Sequence, residues 1–226
     1  MIQQIPLWLD LGFIFTTLLT FYFIMKALHF SRQALIISFV LLLVQGIAGA
    51  YGFYTVTDTI PPRFPLLILP GLLVIIFVFF SKRGKLILNK ASLPDLTLLH
   101  IVRIPVEIAL WGLFLHEQIP QIMTFEGANF DILSGISAPI IWWYAFKDTK
   151  VKKQVLLFWN VLCLILLLII VVMAVLASPV PFQQLGFDQP NVAVQYFPYV
   201  WLPAYVVPVV LFAHLASIRL LIQRSK

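Results

Sequence analysis

His100, Arg103 and Glu107 lie in one apolar run, and at 100° per residue they fall within an arc of about 60° on a helix. Trp111 and Phe114 continue that stripe, and Pro105 falls on the other side. An ionised side chain in mid-bilayer costs roughly 2.5–3.5 kcal/mol, so a span carrying such a triad needs a reason. One reason is structural: Arg103 and Glu107 are four residues apart, can pair with each other, and would fix the packing of neighbouring helices. The other is chemical: the stripe lines a cavity in which a ligand head group, an ion or a proton is handled, with His100 and Glu107 as the proton-exchanging groups. Pro105 removes one helical hydrogen bond and frees the carbonyl of Ile101 beside the triad, which adds an acceptor to that cavity.

Asn160 and His214, in two later apolar runs, are expected at a depth similar to His100 and complete the intramembrane set His100, Arg103, Glu107, Asn160 and His214. No His-x-x-x-His or Glu-x-x-His pair occurs, so no metal site is expected, and no cofactor is indicated. The single cysteine, Cys163, sits inside an apolar run and excludes an internal disulfide.

The elements that must carry these groups follow from composition. Of 226 residues, 62% are hydrophobic and 11% charged, with a mean hydropathy of +1.01. That is outside the soluble globular range and reads as a single polytopic membrane domain over residues 1–226. Seven apolar runs predict an all-α protein of seven transmembrane helices, at about 7–28, 34–54, 64–81, 95–116, 131–147, 155–177 and 196–219. Counted over alternate loops, Lys26, Arg32, Lys82, Arg83, Lys85, Lys90, Lys147, Lys150, Lys152, Lys153, Arg219, Arg224 and Lys226 share one side, against Arg63 on the other. The positive-inside rule then puts the N-terminus outside and the C-terminus in the cytoplasm of an inner (plasma) membrane. Met1 to Asp10 lack a basic leader, so the first run reads as a retained helix. The net charge of +6 sits at helix ends without interleaved aromatics, which argues against nucleic acid.

Phe64-Pro65 to Val74 and Phe197-Pro198 to Val207 both read F-P-x-x-x-L-P-x-x-x-V. They would open the third and seventh helices and allow a parallel 3+1+3 repeat, with the prolines breaking equivalent backbone bonds. Gly46, Ala48, Gly49, Ala50 and Gly52 give the second helix a small-residue face that another backbone could approach.

Two long loops on the outer side hold most of the remaining polar chemistry: His116, Glu126, Asn129 and Asp131 in the first, Gln183, Gln184, Asp188 and Asn191 in the second. With Asp10, Asp58 and Glu117 the outer side is electronegative and would favour cations at a mouth formed by these residues. Asn129 or Asp131 also suits the cap of the fifth helix. Phe125, Phe130, Phe182 and Phe187 could fold these loops over the bundle as a lid around a polar ligand.

Known seven-helix families leave no match on residues. The segment Tyr196–Ile218 has no lysine to link retinal, and the last helix offers His214 alone where seven-helix hydrolases carry His-x-x-x-His. Helix count and orientation are similar to 3+1+3 carriers of sugars and amino acids, without their Pro-Gln dipeptide. Three functions are therefore open: a small-molecule or ion carrier or sensor; an intramembrane enzyme acting on a lipid or isoprenoid through Glu107 or His100; and a non-catalytic subunit that binds a membrane partner. A carrier needs a cavity with access, an enzyme a buried acid-base pair open to lipid, and a subunit a polar face packed against its own helices.

Overall fold

The computed structural model describes residues 5–56, 59, 63–148 and 150–223. About three-quarters of the described residues are helical, and none of them lies in a strand. Asp58, Arg224 and Lys226, which entered the outer-acid and topology readings, lie outside the described residues.

The helices are α1 (Leu7–Ala27), α2 (Arg32–Ala50), α3 (Pro65–Phe80), α4 (Lys82–Lys90), α5 (Leu93–Leu99), α6 (Arg103–Leu115), α7 (Ile132–Phe146), α8 (Lys153–Leu176) and α9 (Val207–Gln223). A 3-10 turn, His100–Val102, joins α5 to α6, and a π-helical turn, Leu202–Val206, leads into α9. Counted as continuous helices, Leu7–Ala27, Arg32–Ala50, Leu93–Leu115, Lys153–Leu176 and Leu202–Gln223 are each long and apolar enough to cross a membrane. A sixth qualifies if α3 and α4, which meet at 87°, are counted together.

Leu93–Leu115 and Leu202–Gln223 are the inner helices, with 56% and 61% of their apolar windows buried, against 33% for Leu7–Ala27 and Lys153–Leu176. α5 packs on α1, α7 and α9, so the run that carries the polar triad is central to the bundle. The peripheral helices turn large apolar side chains outward, among them Phe39 and Val44 of α2 and Phe158 and Val172 of α8. Hydroxyls inside the apolar packing are satisfied locally: Thr16, Thr17 and Thr20 each donate to the carbonyl four residues back, at 2.8, 3.0 and 2.8 Å. Ser92 caps α5 and donates to Asp95 at 2.5 Å, and Asp95 pairs with Lys26 at 3.1 Å, tying the end of α1 to the start of α5.

Pro105 accounts for the interruption of the central helix. Without an N–H it cannot bond the carbonyl of Ile101, and the chain tightens into the 3-10 turn His100–Val102 just before it. The two F-P-x-x-x-L-P-x-x-x-V segments differ in backbone. The first runs as regular α-helix through Pro70, while the second passes through the π turn containing Pro203. Their prolines therefore do not break equivalent bonds as the sequence predicted. The small face of α2 receives side chains rather than another backbone: a Cβ on Gly46 would stand 3.1 Å from the Trp201 ring, and one on Gly49 2.7 Å from Val200. Trp201 also donates to the carbonyl of Leu42 at 2.9 Å. α4, where the sequence reading had only a loop, follows from Ser81 as N-cap and from Leu88 buried beneath exposed cations.

Candidate functional site

The triad is buried, with His100, Arg103 and Glu107 exposed by 0%, 2% and 1%. Close approach of α7 makes this possible. A Cβ on Gly135 would stand 2.8 Å from Ile104 and 3.0 Å from its amide nitrogen, so glycine there lets α7 lie against the start of α6.

The expected Arg103–Glu107 pair is not formed; each residue has found a partner from outside the central helix. Arg103 Nε is 3.0 Å from Asp131 Oδ2 at the head of α7, and its two terminal nitrogens face the carbonyl of Cys163 on α8, each at 3.4 Å. Glu107 accepts from Asn129 Nδ2, which is 2.7 Å from both carboxylate oxygens and 3.0 Å from the carbonyl of Met123. Asn129 Oδ1 accepts from the amide of Asp131 at 3.0 Å, so one short turn holds both partners in register. Asp131 occupies the N-cap position of α7 without a side-chain cap bond, because its carboxylate is turned to Arg103. The capping role read from sequence is thus replaced by an ion pair, which suits a buried cation better than an α7 amide would.

One turn away the chemistry changes. His100 and His214 stack with ring centroids 3.9 Å apart and planes at 22°, and Trp159 meets His100 edge-on at 5.3 Å. His214 Nδ1 lies 3.0 Å from Asn160 Oδ1, while Asn160 Nδ2 donates to the carbonyl of Leu156 at 2.8 Å. Both ring nitrogens of His100 and Nε2 of His214 lack a hydrogen-bond partner. Among the described residues no group of three or more His, Cys, Asp and Glu side chains is arranged to hold a metal.

Of the outer-mouth residues read from sequence, Asn129, Asp131 and Asn191 are buried and belong to the interior. Glu107, Asp131 and Asn191 line one cavity of about 70 Å³ between α3, α6, α8 and the segment leading to α9, whose other walls are apolar, including Phe64, Val106, Leu110, Leu167, Ile170 and Leu202. Asn191 is anchored by donating to the carbonyl of Ala174 at 3.1 Å. The remaining residues do not converge. His116 Nδ1 contacts the carbonyl of Gly112 at 2.8 Å and Gln183 donates to its own loop at Leu185 and Gly186, at 3.0 and 3.2 Å. Gln184 and Asp188 are exposed, and exposed Glu126 accepts from Trp111 Nε1 at 2.9 Å. Gln189, which the sequence reading did not single out, ties the loop after α8 to the end of α6 and the loop that follows it by donating to the carbonyls of Phe114 and Ile119 at 2.9 and 2.6 Å.

The site thus combines one cation, two carboxylates and a small, mostly apolar cavity. At roughly 30 Å³ per water, that cavity holds about two waters or one small solute, far below the 300 Å³ or more of a drug-sized pocket. A family model described as a domain of unknown function (DUF8737) matches residues 61–222, a stretch that contains every residue of this network. Neither the curated proteins nor the solved structures contain a match to the chain.

Proposed function

We propose that this chain, which belongs to the family DUF8737, is a membrane-spanning carrier or sensor for a small molecule or ion, with Glu107, Asp131, Arg103 and Asn129 as its inner site. One observation carries this reading: Glu107 and Asp131 line the same small cavity, and Arg103, which pairs with Asp131 from behind it, sets one cation against the two carboxylates. With both carboxylates ionised the site is one positive charge short. A buried carboxylate in excess costs several kcal/mol unless something neutralises it, and the small cavity beside it suits a proton, a small cation or a small cationic group.

The bilayer is the natural solvent for the outward apolar faces of α2 and α8, and the distribution of basic residues supports a cytoplasm-facing basic side, as in an inner (plasma) membrane. Seven spans result if α3 and α7 are added to the five long helices. α7 has 15 residues, about 22 Å of helix, and crosses only where the bilayer thins or its flanking chain contributes. The N-terminus then lies outside.

The internal pairing of the polar network favours a second reading. Arg103, Asp131, Glu107 and Asn129 each have partners from within the chain, as a purely structural bundle linkage would, and the protein would then be a subunit of a membrane complex. Native mass spectrometry of purified protein, with an inventory of bound metals and small molecules, separates the two. A stoichiometric bound cation or small molecule that Glu107→Gln loses while staying folded supports the carrier or sensor; a protein empty in both forms, with partner proteins retained, supports the subunit.

A further inference from the structure

We propose that the apolar cleft between α2, α3 and α9 holds a short stretch of one acyl chain of an anionic phospholipid, the rest of the chain lying in the bilayer, and that its phosphate is bound by the cations of α4 and Arg32. The proposal rests on the membrane-spanning reading above but not on the function assigned to Glu107.

The cleft is a separate cavity of about 90 Å³, walled by Ile37, Leu41, Val74, Val78, Ile87 and Phe212 among others. Ile37 and Leu41 belong to α2, Val74 and Val78 to α3, and Ile87 to α4, so the cleft runs along two helices and ends under the short one. Almost wholly apolar, it suits a few methylenes of a hydrocarbon chain.

α4, whose Ile87 lines the cleft, carries the charge. α3 and α4 meet at 87°, which lays α4 across the end of the bundle. Gly84 sets that turn, since a Cβ there would stand 2.2 Å from the carbonyl oxygen of Val78. Leu88 faces inward, while Lys82, Arg83 and Lys85 are exposed beside Leu86, itself 63% exposed. Cations and an outward apolar side chain on one short helix are the pattern of an element lying at the lipid headgroups. His29 Nε2 contacts the carbonyl of Lys90 at 2.9 Å, which fastens the α1–α2 turn to α4 and brings Arg32 to the same end. Arg219 lies over the Phe79 ring at 5.9 Å, and Phe79 in turn meets the cleft residue Phe212 edge-on at 6.1 Å.

Among the described residues none of Lys82, Arg83, Lys85, Arg32 or Arg219 forms an ion pair; the acids nearby are committed elsewhere, Asp95 to Lys26 at 3.1 Å and Asp148 to Lys152 at 3.3 Å. A basic rim above an apolar slot is complementary to a phosphate carrying an acyl chain, and basic pockets between helices bind anionic head groups in this way.

The test uses full-length protein, delipidated in detergent and titrated with phosphatidylglycerol or phosphatidylcholine, with bound lipid counted by native mass spectrometry. The expected result is one phosphatidylglycerol retained in preference to phosphatidylcholine. Combined Lys82→Gln, Arg83→Gln and Lys85→Gln should weaken phosphatidylglycerol by about tenfold or more and leave phosphatidylcholine unchanged. Val74→Trp, which fills the slot, should lower retention of both lipids. Equal binding of the two lipids by the wild type, a preference that survives the charge substitutions, or a lipid-free dimer occupying the cleft would each overturn the proposal. A protein that stays monodisperse without detergent would instead overturn the membrane reading beneath it.

Discussion

Two polar clusters share the central helix, and they are built on opposite principles. Around Arg103 and Glu107, charges taken from α6 meet an asparagine and an aspartate from one short turn, and distances of 2.7–3.0 Å link them. One turn below, His100 and His214 meet face to face, with three ring nitrogens unpartnered and aromatic Trp159 against them. The first cluster adjoins a cavity and the second is packed shut. On the function proposed above, the working site is the cluster whose charges border a cavity, and the histidines form a dense, nearly apolar layer next to it.

The largest effect expected from breaking this contrast is Arg103→Leu, which strands Asp131 as a buried unpaired carboxylate and should cost about 3–5 kcal/mol, read as a lowered melting temperature in detergent. Adding Asp131→Leu should recover much of that loss, as expected for two groups acting as one unit. Next comes Asn129→Leu, which removes the donor that faces both oxygens of Glu107 and should cost about 1–3 kcal/mol in the same assay. Gln189→Ala should cost about 1 kcal/mol and should show as faster proteolysis of the outer loops that Gln189 joins. His100→Phe is the smallest: it removes two unpartnered nitrogens at the cost of some overpacking, and stability should stay within about 1 kcal/mol. A large loss of stability or of ligand binding in that last variant would move the site down to the histidines.

Much of this was legible in the sequence, in uneven ways. The long apolar runs set most helix ends to within four residues, since hydrophobic length is a strong signal, but the last run, read as 196–219, forms its helix only over Leu202–Gln223. His100, Arg103 and Glu107 were identifiable because polar groups are costly in such runs. Their partners were not: the four-residue spacing of Arg103 and Glu107 suggested a pair within the helix, whereas the Asn129–Asp131 turn competes successfully for both. Nothing local in N-F-D distinguishes a turn that caps a helix from one that reaches 22 residues back to a glutamate. The acceptor for Arg103 on α8 is a backbone carbonyl, which has no sequence signature at all. α4 was missed because nine residues rich in lysine resemble a loop until Leu88 and Gly84 are seen to face inward.

The most direct test of the central claim is the melting temperature of wild-type protein and Glu107→Gln, measured side by side in detergent over a pH series and a panel of Na⁺, K⁺, Mg²⁺ and small organic cations. The substitution removes the excess charge and keeps one of the two acceptor oxygens for Asn129, the other becoming an NH2 that must turn away from Asn129 Nδ2. The site described here predicts a wild type whose stability responds to protons or to one of these cations, and a variant at least as stable that no longer responds. Parallel responses in the two proteins, or a wild type indifferent to every condition, would contradict it.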